Sequence, residues 1–173
     1  MNTLVLGCGP HGWRPEAVNV DAVRQPDIPN FVEQDFVKDG VPFRATQGGW
    51  EHQGWNLIVA EDVIEHISVL DIPRVLSNIF DRLEPGGTLV IKCPNLDTIV
   101  NEYVSHRIDA WELVRLLYGH QNSSVHSIHK TGFVPLILRA FLETPGFEVV
   151  KIEPRVKDET GRSNNMRFTA RKP

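Results

Sequence analysis

The residues Gly7-Cys8-Gly9-Pro10-His11-Gly12 have the composition of a backbone turn that could hold a ligand near the start of the chain. They follow a short apolar run, Thr3–Leu6, which is typical of a buried strand that ends at a turn. Glycine lets the backbone approach a ligand closely where a Cβ atom would collide. This segment also matches the pattern G-x-G-x-x-G, so one interpretation of it is a dinucleotide-binding site.

The position of Asp21 weighs against that interpretation, because a dinucleotide site has an acid about 20 residues beyond its glycines. Asp21 stands only 12 positions after Gly9. Barely two helical turns fit into this interval once the turn and the next strand are subtracted, and Pro15 limits them further. A nicotinamide-nucleotide-binding oxidoreductase is therefore the less favoured alternative.

An S-adenosylmethionine site fits the polar strand ends better. Asp21 ends the apolar run Val18–Val20, where an acid can accept hydrogen bonds from both ribose hydroxyls. Asp35 stands one strand further along and could accept from the adenine amino group, with Phe36 against the ring face. Each acid could instead cap a helix or a turn. The predicted cofactor-binding residues are Gly7, Cys8, Gly9, Asp21, Asp35, Phe36 and Glu61.

Histidines supply the candidate groups for proton transfer. His66 and His129 are the two candidate catalytic residues, because an unperturbed imidazole pKa of about 6.5 suits a general base near neutral pH. His66 could instead tether its helix and shape the pocket. We expect the polar segment that begins at His120 to form a lid, with His129 as base or orienting group. His126 and His129 are three positions apart, but no third ligand follows at a recognisable spacing, so no metal site is predicted.

Tryptophans are candidates for lining an acceptor pocket. Trp50, Trp55 and Trp111 could do so, although a single tryptophan is more often a packing residue. The segment Gln47–Gly54 carries three glycines, which favours a flexible loop on the adenine side or plain surface.

Strands and helices alternate along the chain. Apolar runs predict strands at Thr3–Leu6, Val18–Val20, Asn30–Glu33, Asn56–Ala60 and Thr88–Cys93, and a C-terminal hairpin from Phe147–Pro154 and Met166–Ala170. Apolar residues at helical spacing predict a helix over Asp71–Leu83, and further helices are expected at Trp111–Tyr118 and Phe133–Leu142. The predicted fold class is α/β, a mostly parallel sheet flanked by helices. Ligands of such sheets bind at the carboxyl ends of the strands, where the polar residues above converge.

Size and composition limit the function further. The 173 residues are interpreted as one domain, residues 1–173. The net charge of -4 makes nucleic acid an unlikely main partner. No apolar run approaches the roughly 20 residues that span a bilayer, and the start lacks a basic leader region, so we expect a cytoplasmic protein without membrane contact. Cys8 and Cys93 lie at the ends of two strands that are not expected to be neighbours in the sheet. The two cysteines are therefore too far apart to form a disulfide.

Four stretches together resemble the ordered motifs of class I, Rossmann-like S-adenosylmethionine-dependent methyltransferases: Val5–Pro10, Asn19–Asp21, Asp62–Ile67 and Leu83–Leu89. The resemblance covers most of the chain and is closest to a compact bacterial subgroup, to which Tyr118–Gln121, His129–Phe133 and Pro145–Phe147 are also similar. It implies a seven-stranded sheet with an antiparallel C-terminal hairpin, S-adenosylmethionine as cofactor, and methyl transfer to a small-molecule or glycan-like acceptor.

The chain departs from the family at Val5, where relatives usually carry an acid two residues before the first glycine. Many relatives also have a helix before the first strand. These departures keep a second interpretation open, a non-catalytic S-adenosylmethionine-binding partner of a larger complex. The sequence leaves open which atom is methylated and whether a homodimer forms.

Overall fold

The computed structural model describes residues 2–25, 27–46, 49–121, 125–157 and 161–173. The strands in this part of the chain are β1 (Thr3–Leu6), β2 (Val18–Asp21), β3 (Phe31–Glu33), β4 (Arg44–Thr46), β5 (Gly49–Gln53), β6 (Trp55–Glu61), β7 (Leu83–Pro94), β8 (Glu148–Val156) and β9 (Asn165–Arg171). The α-helices are α1 (Phe36–Asp39), α2 (Ile72–Arg82), α3 (Leu96–Val104), α4 (Ala110–Tyr118) and α5 (Pro135–Glu143). Short 3-10 helices cover Ile64–His66 and Val125–Ser127.

Seven strands form one sheet in the order β3-β2-β1-β6-β7-β9-β8. Five neighbouring strands of this sheet, β3, β2, β1, β6 and β7, run parallel to one another. Strand β9 is antiparallel to β7, and β8 is antiparallel to β9. The predicted fold, a mostly parallel seven-stranded sheet with a C-terminal antiparallel hairpin, is therefore confirmed. The chain moves outward in opposite directions from β1 and β6, so the loops after these two strands diverge and leave a crevice at the carboxyl edge.

Helix α2 shows how the core fixes the strand ends. Its apolar positions Ile72, Val75, Leu76 and Ile79 are all buried in the main core cluster, as the helical spacing predicted. At least 98 % of each of these side chains is hidden from solvent, and burying one side chain of this size is worth about 1.5–3 kcal/mol. The helix is therefore anchored through its apolar face in the core beneath the crevice.

Several elements differ from the sequence-based expectation, since β4, α1 and α3 were not predicted and β5 lies in a predicted loop. Residues 49–53 form β5, which pairs antiparallel with β4, where a flexible loop was expected; Gln47 and Gly48 of that predicted loop lie outside the described residues. Helix α3, which the apolar spacing did not predict, begins after Asn95, whose side chain caps it by accepting a hydrogen bond from the Asp97 backbone N–H over 3.1 Å. A polar cap signal of this kind is easily missed when the apolar spacing behind it is weak.

The cysteines lie where the sequence predicted. Strand β6 separates β1 from β7, and both Cys8 and Cys93 are free and buried. Among the described residues, no helix combines the length and apolar character that crossing a membrane requires.

Candidate functional site

A crevice of about 1390 Å³ opens at the carboxyl edge of the sheet. Residues from the β1 loop and the ends of β2 and β3 line one part of it, and the segment between α4 and α5 lines the other. The structure brings together most of the predicted site residues on these walls, namely Gly7, Gly9, Asp21, Asp35, Phe36, His66 and His129. Two of the predicted cofactor residues, Cys8 and Glu61, do not belong to the lining.

The glycine turn after β1 needs its glycines for two different reasons. Gly7 has φ +61°, and a Cβ atom there would collide with the side chain of Val63. Gly9 has φ +49°, and no described atom lies within 4 Å of where its Cβ would stand. Gly7 therefore allows the turn to pack against the loop after β6, whereas Gly9 presents open backbone to the crevice.

Asp21 holds this turn as well as facing the crevice. Its Oδ2 accepts a hydrogen bond from the Gly9 backbone N–H over 2.8 Å, and its Oδ1 accepts one from the Val23 backbone N–H over 2.9 Å. Each carboxylate oxygen has a second lone pair. The side chain can thus fix the glycine turn and still accept from a ligand.

Asp35 caps helix α1. Its Oδ1 accepts from the backbone N–H groups of Val37 and Lys38 over 3.2 and 3.3 Å, and its Oδ2 pairs with the Lys38 ammonium at 3.0 Å. Partial burial acts to raise the pKa of Asp35, but the hydrogen bonds and charge of Lys38 outweigh it and lower the pKa. Asp35 is thus a helix cap, which the sequence allowed as an alternative role. Its carboxylate and the neighbouring Phe36 also line the crevice.

Glu61 and Cys8 face other surroundings. Glu61 accepts a hydrogen bond from the Arg167 guanidinium over 3.3 Å on the neighbouring part of the sheet. Cys8 is 2 % exposed within the smaller apolar cluster, and burial, with the charge of Asp21, raises the pKa of its thiol to about 11. The predicted ligand contact of Glu61 is thus not supported by its placement, and Cys8 can contribute only backbone groups.

The acid that follows Glu61 was not among the predicted site residues, yet it lines the crevice. Asp62 has φ +55°, an uncommon backbone conformation for a residue other than glycine. Its Oδ1 accepts from the Asn165 side chain over 2.7 Å, and its Oδ2 pairs with the Lys92 ammonium at 2.5 Å. The sequence signal was available, since Asp62 opens one of the stretches that carry the family resemblance.

His66 and His129 lie next to each other in the lining of the crevice, with ring centroids 5.0 Å apart and planes at 67°. The Nδ1 atom of His66 lies 3.0 Å from the Ile128 carbonyl oxygen, and that of His129 lies 3.1 Å from the Leu116 carbonyl oxygen. A carbonyl oxygen only accepts, so each Nδ1 carries the proton in these bonds. Each ring then offers the lone pair of its Nε2.

Burial keeps both rings in the neutral form. It lowers the pKa of His66, and for His129 burial, helped by the neighbouring His66, lowers the pKa to about 4. A neutral imidazole can accept a proton or bind a cation, and an imidazolium can do neither.

Glu65 completes this group, although its role was not foreseen from the sequence. The side chain is 2 % exposed, and its Oε2 has no hydrogen-bond partner among the described residues. Desolvation, followed by the charge of Asp62, raises the pKa of Glu65 to about 8. One potential ligand atom from each of Glu65, His66 and His129 lies within 4.8 Å of the other two. This trio differs from the His126–His129 pair that was considered and set aside.

The backbone of Glu65 also positions the lid. Its carbonyl oxygen accepts from the Lys130 and Thr131 N–H groups over 2.7 and 3.1 Å. These bonds tie the segment that carries His129 to the 3-10 helix that carries His66. No local sequence pattern announces such a contact between distant segments.

Two of the three candidate tryptophans, Trp55 and Trp111, do not line the crevice. Trp55 is 3 % exposed, and its Nε1 donates to the Pro42 carbonyl oxygen over 3.0 Å, so it is a core residue. Trp111 is 84 % exposed on α4 and lies outside the crevice lining. The acceptor-pocket alternative is therefore not supported for these two residues, whereas the packing alternative describes Trp55. The side chain of Trp50 lies outside the described part of the structure.

Comparison with known proteins points to one family and one fold. A family model described as a methyltransferase domain matches residues 2–152. A methyltransferase of Archaeoglobus fulgidus described as SAM-dependent is 17 % identical, with 98 % of this chain and 85 % of that chain covered at a TM-score of 0.62. No curated protein matches the chain by sequence.

Two further solved structures share the fold. The 1,6-didemethyltoxoflavin-N1-methyltransferase of Burkholderia thailandensis, solved with its substrate and S-adenosylhomocysteine, is 17 % identical, with 98 % of this chain and 70 % of that chain covered at a TM-score of 0.64. The glycopeptide N-methyltransferase MtfA, solved with S-adenosylmethionine, is 15 % identical, with 99 % and 81 % covered at a TM-score of 0.61.

Proposed function

Because the chain belongs to the family described as methyltransferase domains, we propose that it transfers a methyl group from S-adenosylmethionine to a small-molecule or glycan-like acceptor. The observation that carries this proposal is the shared crevice. The open Gly9 turn and Asp21 lie on one wall, and two neutral histidines lie on the opposite wall. A methyl donor and an acceptor could therefore occupy adjacent places.

The residues of the first wall fit the cofactor. The open space above Gly9 is a cradle that any Cβ atom would begin to fill, and Asp21 keeps the turn in this conformation. We propose that Asp21 binds the ribose hydroxyls and that Asp35 and Phe36 contact the adenine. The backbone of residues 7–9 would lie closest to the cofactor. When bound, S-adenosylmethionine supplies an already activated methyl group, so the protein needs chiefly to position the acceptor and exclude water.

Asp62 is our candidate for the methionine end of the cofactor. Val5, which stands where relatives carry an acid, is 3 % exposed in the smaller apolar cluster and cannot contact an ammonium group. Asp62 follows β6, the strand next to β1, and its side chain is 41 % exposed in the crevice. A carboxylate there can accept from the methionine ammonium that Val5 cannot bind.

His129 and His66 are assigned to the acceptor. Their neutral Nε2 atoms can take a proton from the acceptor or hold its proton-bearing group, which is the task of a general base or an orienting group. The methylated acceptors named for the two solved neighbours, a toxoflavin precursor and a glycopeptide, motivate the proposed acceptor class. The negative net charge fits a small acceptor better than nucleic acid.

Thermal unfolding with S-adenosylhomocysteine tests the proposal, with NAD as the control ligand. A ligand present at 100 times its Kd stabilises the folded state by about 2.7 kcal/mol, which raises Tm by several degrees in a chain of this size. We expect this shift with S-adenosylhomocysteine and none with NAD. A shift with NAD alone would contradict the proposal in favour of the oxidoreductase.

Catalysis needs a second measurement. Incubation with methyl-labelled S-adenosylmethionine and a panel of small hydroxyl, amine and glycan acceptors should give a labelled product. Cofactor binding by the isolated chain without transfer to any member of the panel would favour the non-catalytic binding partner, for which the apolar Val5 is the motivating departure.

A further inference from the structure

We propose that Glu65, His66 and His129 form a binding site for a divalent transition metal of the zinc type, which holds the methyl acceptor through its remaining coordination position. The acceptor role rests on the function proposed above, whereas the metal site itself does not. The three side chains come from the 3-10 helix after β6 and from the lid, and all three line the crevice.

The first argument is the geometry of the trio. One ligand atom from each side chain lies within 4.8 Å of the other two. A tetrahedral zinc ion with bonds of about 2.1 Å sets its ligand atoms about 3.4 Å apart. The side chains therefore need to close by about 1.4 Å at most, which rotation of the Glu65 carboxylate and small movements of the rings can supply.

The second argument is the tautomer of the two histidines. A histidine that binds a metal through one nitrogen commonly donates its other N–H to a backbone carbonyl or a carboxylate, which fixes the ring orientation. His66 and His129 both do so, through Nδ1, to the carbonyl oxygens of Ile128 and Leu116. Both Nε2 lone pairs are thus already available in the protein alone.

The third argument is the carboxylate oxygen of Glu65 that lacks a partner. A buried polar atom without a partner is costly, and natural structures rarely keep one without a functional reason. The Glu65 side chain is 98 % hidden from solvent, and its Oε2 has no partner among the described residues. A cation between Glu65 and the two imidazoles would satisfy this oxygen and both lone pairs at once.

The donor set selects the class of metal. Two imidazole nitrogens and one carboxylate oxygen suit zinc and the neighbouring transition metals, whereas magnesium and calcium favour oxygen ligands throughout. Three protein ligands leave a fourth position open in a tetrahedral site, as in catalytic zinc centres. An acceptor hydroxyl bound there would release its proton to bulk water more readily, because the cation stabilises the oxyanion. With the metal bound, His66 and His129 act as ligands in place of the base role assigned above.

The experiment measures zinc binding to the full chain, stripped with a chelator, by equilibrium dialysis in saturating S-adenosylhomocysteine. The wild type should bind one zinc ion per chain, and cobalt in the same site should give a visible absorption spectrum of low-symmetry coordination. Glu65→Gln and His129→Ala should each bind zinc at least tenfold more weakly. His106→Ala removes an exposed histidine that does not line the crevice, and its zinc affinity should match that of the wild type.

The thermal shift with S-adenosylhomocysteine serves as the folding control for each variant and separates the two proposals. Less than one bound zinc in a wild type that still responds to S-adenosylhomocysteine would overturn the metal site and leave the proposed function intact. Equal zinc affinity in the wild type, Glu65→Gln and His129→Ala would overturn it as well. Stoichiometric zinc that both variants lose, in a chain that does not respond to S-adenosylhomocysteine, would support the metal site and contradict the proposed function.

Discussion

The Gly9 backbone N–H donates to Asp21 Oδ2 over 2.8 Å, so the acid at the end of β2 shapes the turn at the end of β1. The same carboxylate faces the crevice. Its structural and binding roles are therefore joined, because any change at Asp21 alters the turn as well as the carboxylate that a ribose would meet.

Asp21→Ala should weaken the binding of S-adenosylhomocysteine. Loss of charge-assisted hydrogen bonds to the ribose costs about 1–3 kcal/mol, which corresponds to about 5- to 150-fold in Kd. Titration calorimetry of the variant measures this directly. Asp81→Ala, an exposed acid on α2, is the control and should bind like the wild type. Wild-type affinity in Asp21→Ala would show that the ribose lies elsewhere.

Asp35 both caps α1 and lines the crevice, so its substitution affects stability and ligand binding together. A second capping residue serves as a control that separates the two effects. Asp109 caps α4 by accepting from the Glu112 backbone N–H over 2.8 Å, and it does not line the crevice. Loss of such a cap costs about 0.5–2 kcal/mol of stability. Asp35→Ala and Asp109→Ala should both lower the unfolding free energy, but only Asp35→Ala should also raise the Kd of S-adenosylhomocysteine. Equal affinities would reduce Asp35 to its capping role.

The sheet and the crevice residues that follow β1 and β2 were largely predictable because their signals are local. The strands show as short apolar runs ending at Gly, Asp or Pro, and the spacing of residues 71–83 determines the face of α2 that is buried. Gly9 lies in the turn after β1 and Asp21 is the last residue of β2, so the parallel pairing of these strands brings them together without further information.

The acceptor wall was less predictable because tertiary contacts build it. Glu65 and His66 meet His129 only because the lid returns and its backbone bonds to the Glu65 carbonyl. The sequence left Trp55 both a packing role and a place in an acceptor pocket, and only the folded structure shows that the side chain packs into the core. Spacing along the chain cannot report which distant segments share a wall.

Adjacent acids after β6 offer a test of the proposed methionine contact. Asp62 lines the crevice, whereas Glu61 pairs with Arg167 outside it. Asp62→Asn should raise the Kd of S-adenosylhomocysteine about tenfold or more, as expected for a hydrogen bond to a charged group. Glu61→Gln should leave this Kd unchanged, because Glu61 lies outside the crevice and bonds to Arg167 there. Titration calorimetry measures both Kd values. A raised Kd in Glu61→Gln with an unchanged Kd in Asp62→Asn would show that Glu61 contacts the ligand and Asp62 does not.

Gly9 and Gly161 form a pair that separates backbone strain from steric exclusion of the cofactor. Both have positive φ, +49° and +84°, and at neither position does a described atom lie within 4 Å of the Cβ that alanine would add. Gly9→Ala and Gly161→Ala should therefore lose similar stability, about 1–2 kcal/mol for a left-handed residue. Only Gly9 lines the crevice, so only Gly9→Ala should also weaken S-adenosylhomocysteine, because its methyl group would enter the space that the ligand needs. Denaturant unfolding gives the stabilities and calorimetry the affinities. If both variants kept wild-type affinity, the open space above Gly9 would not be where the cofactor binds.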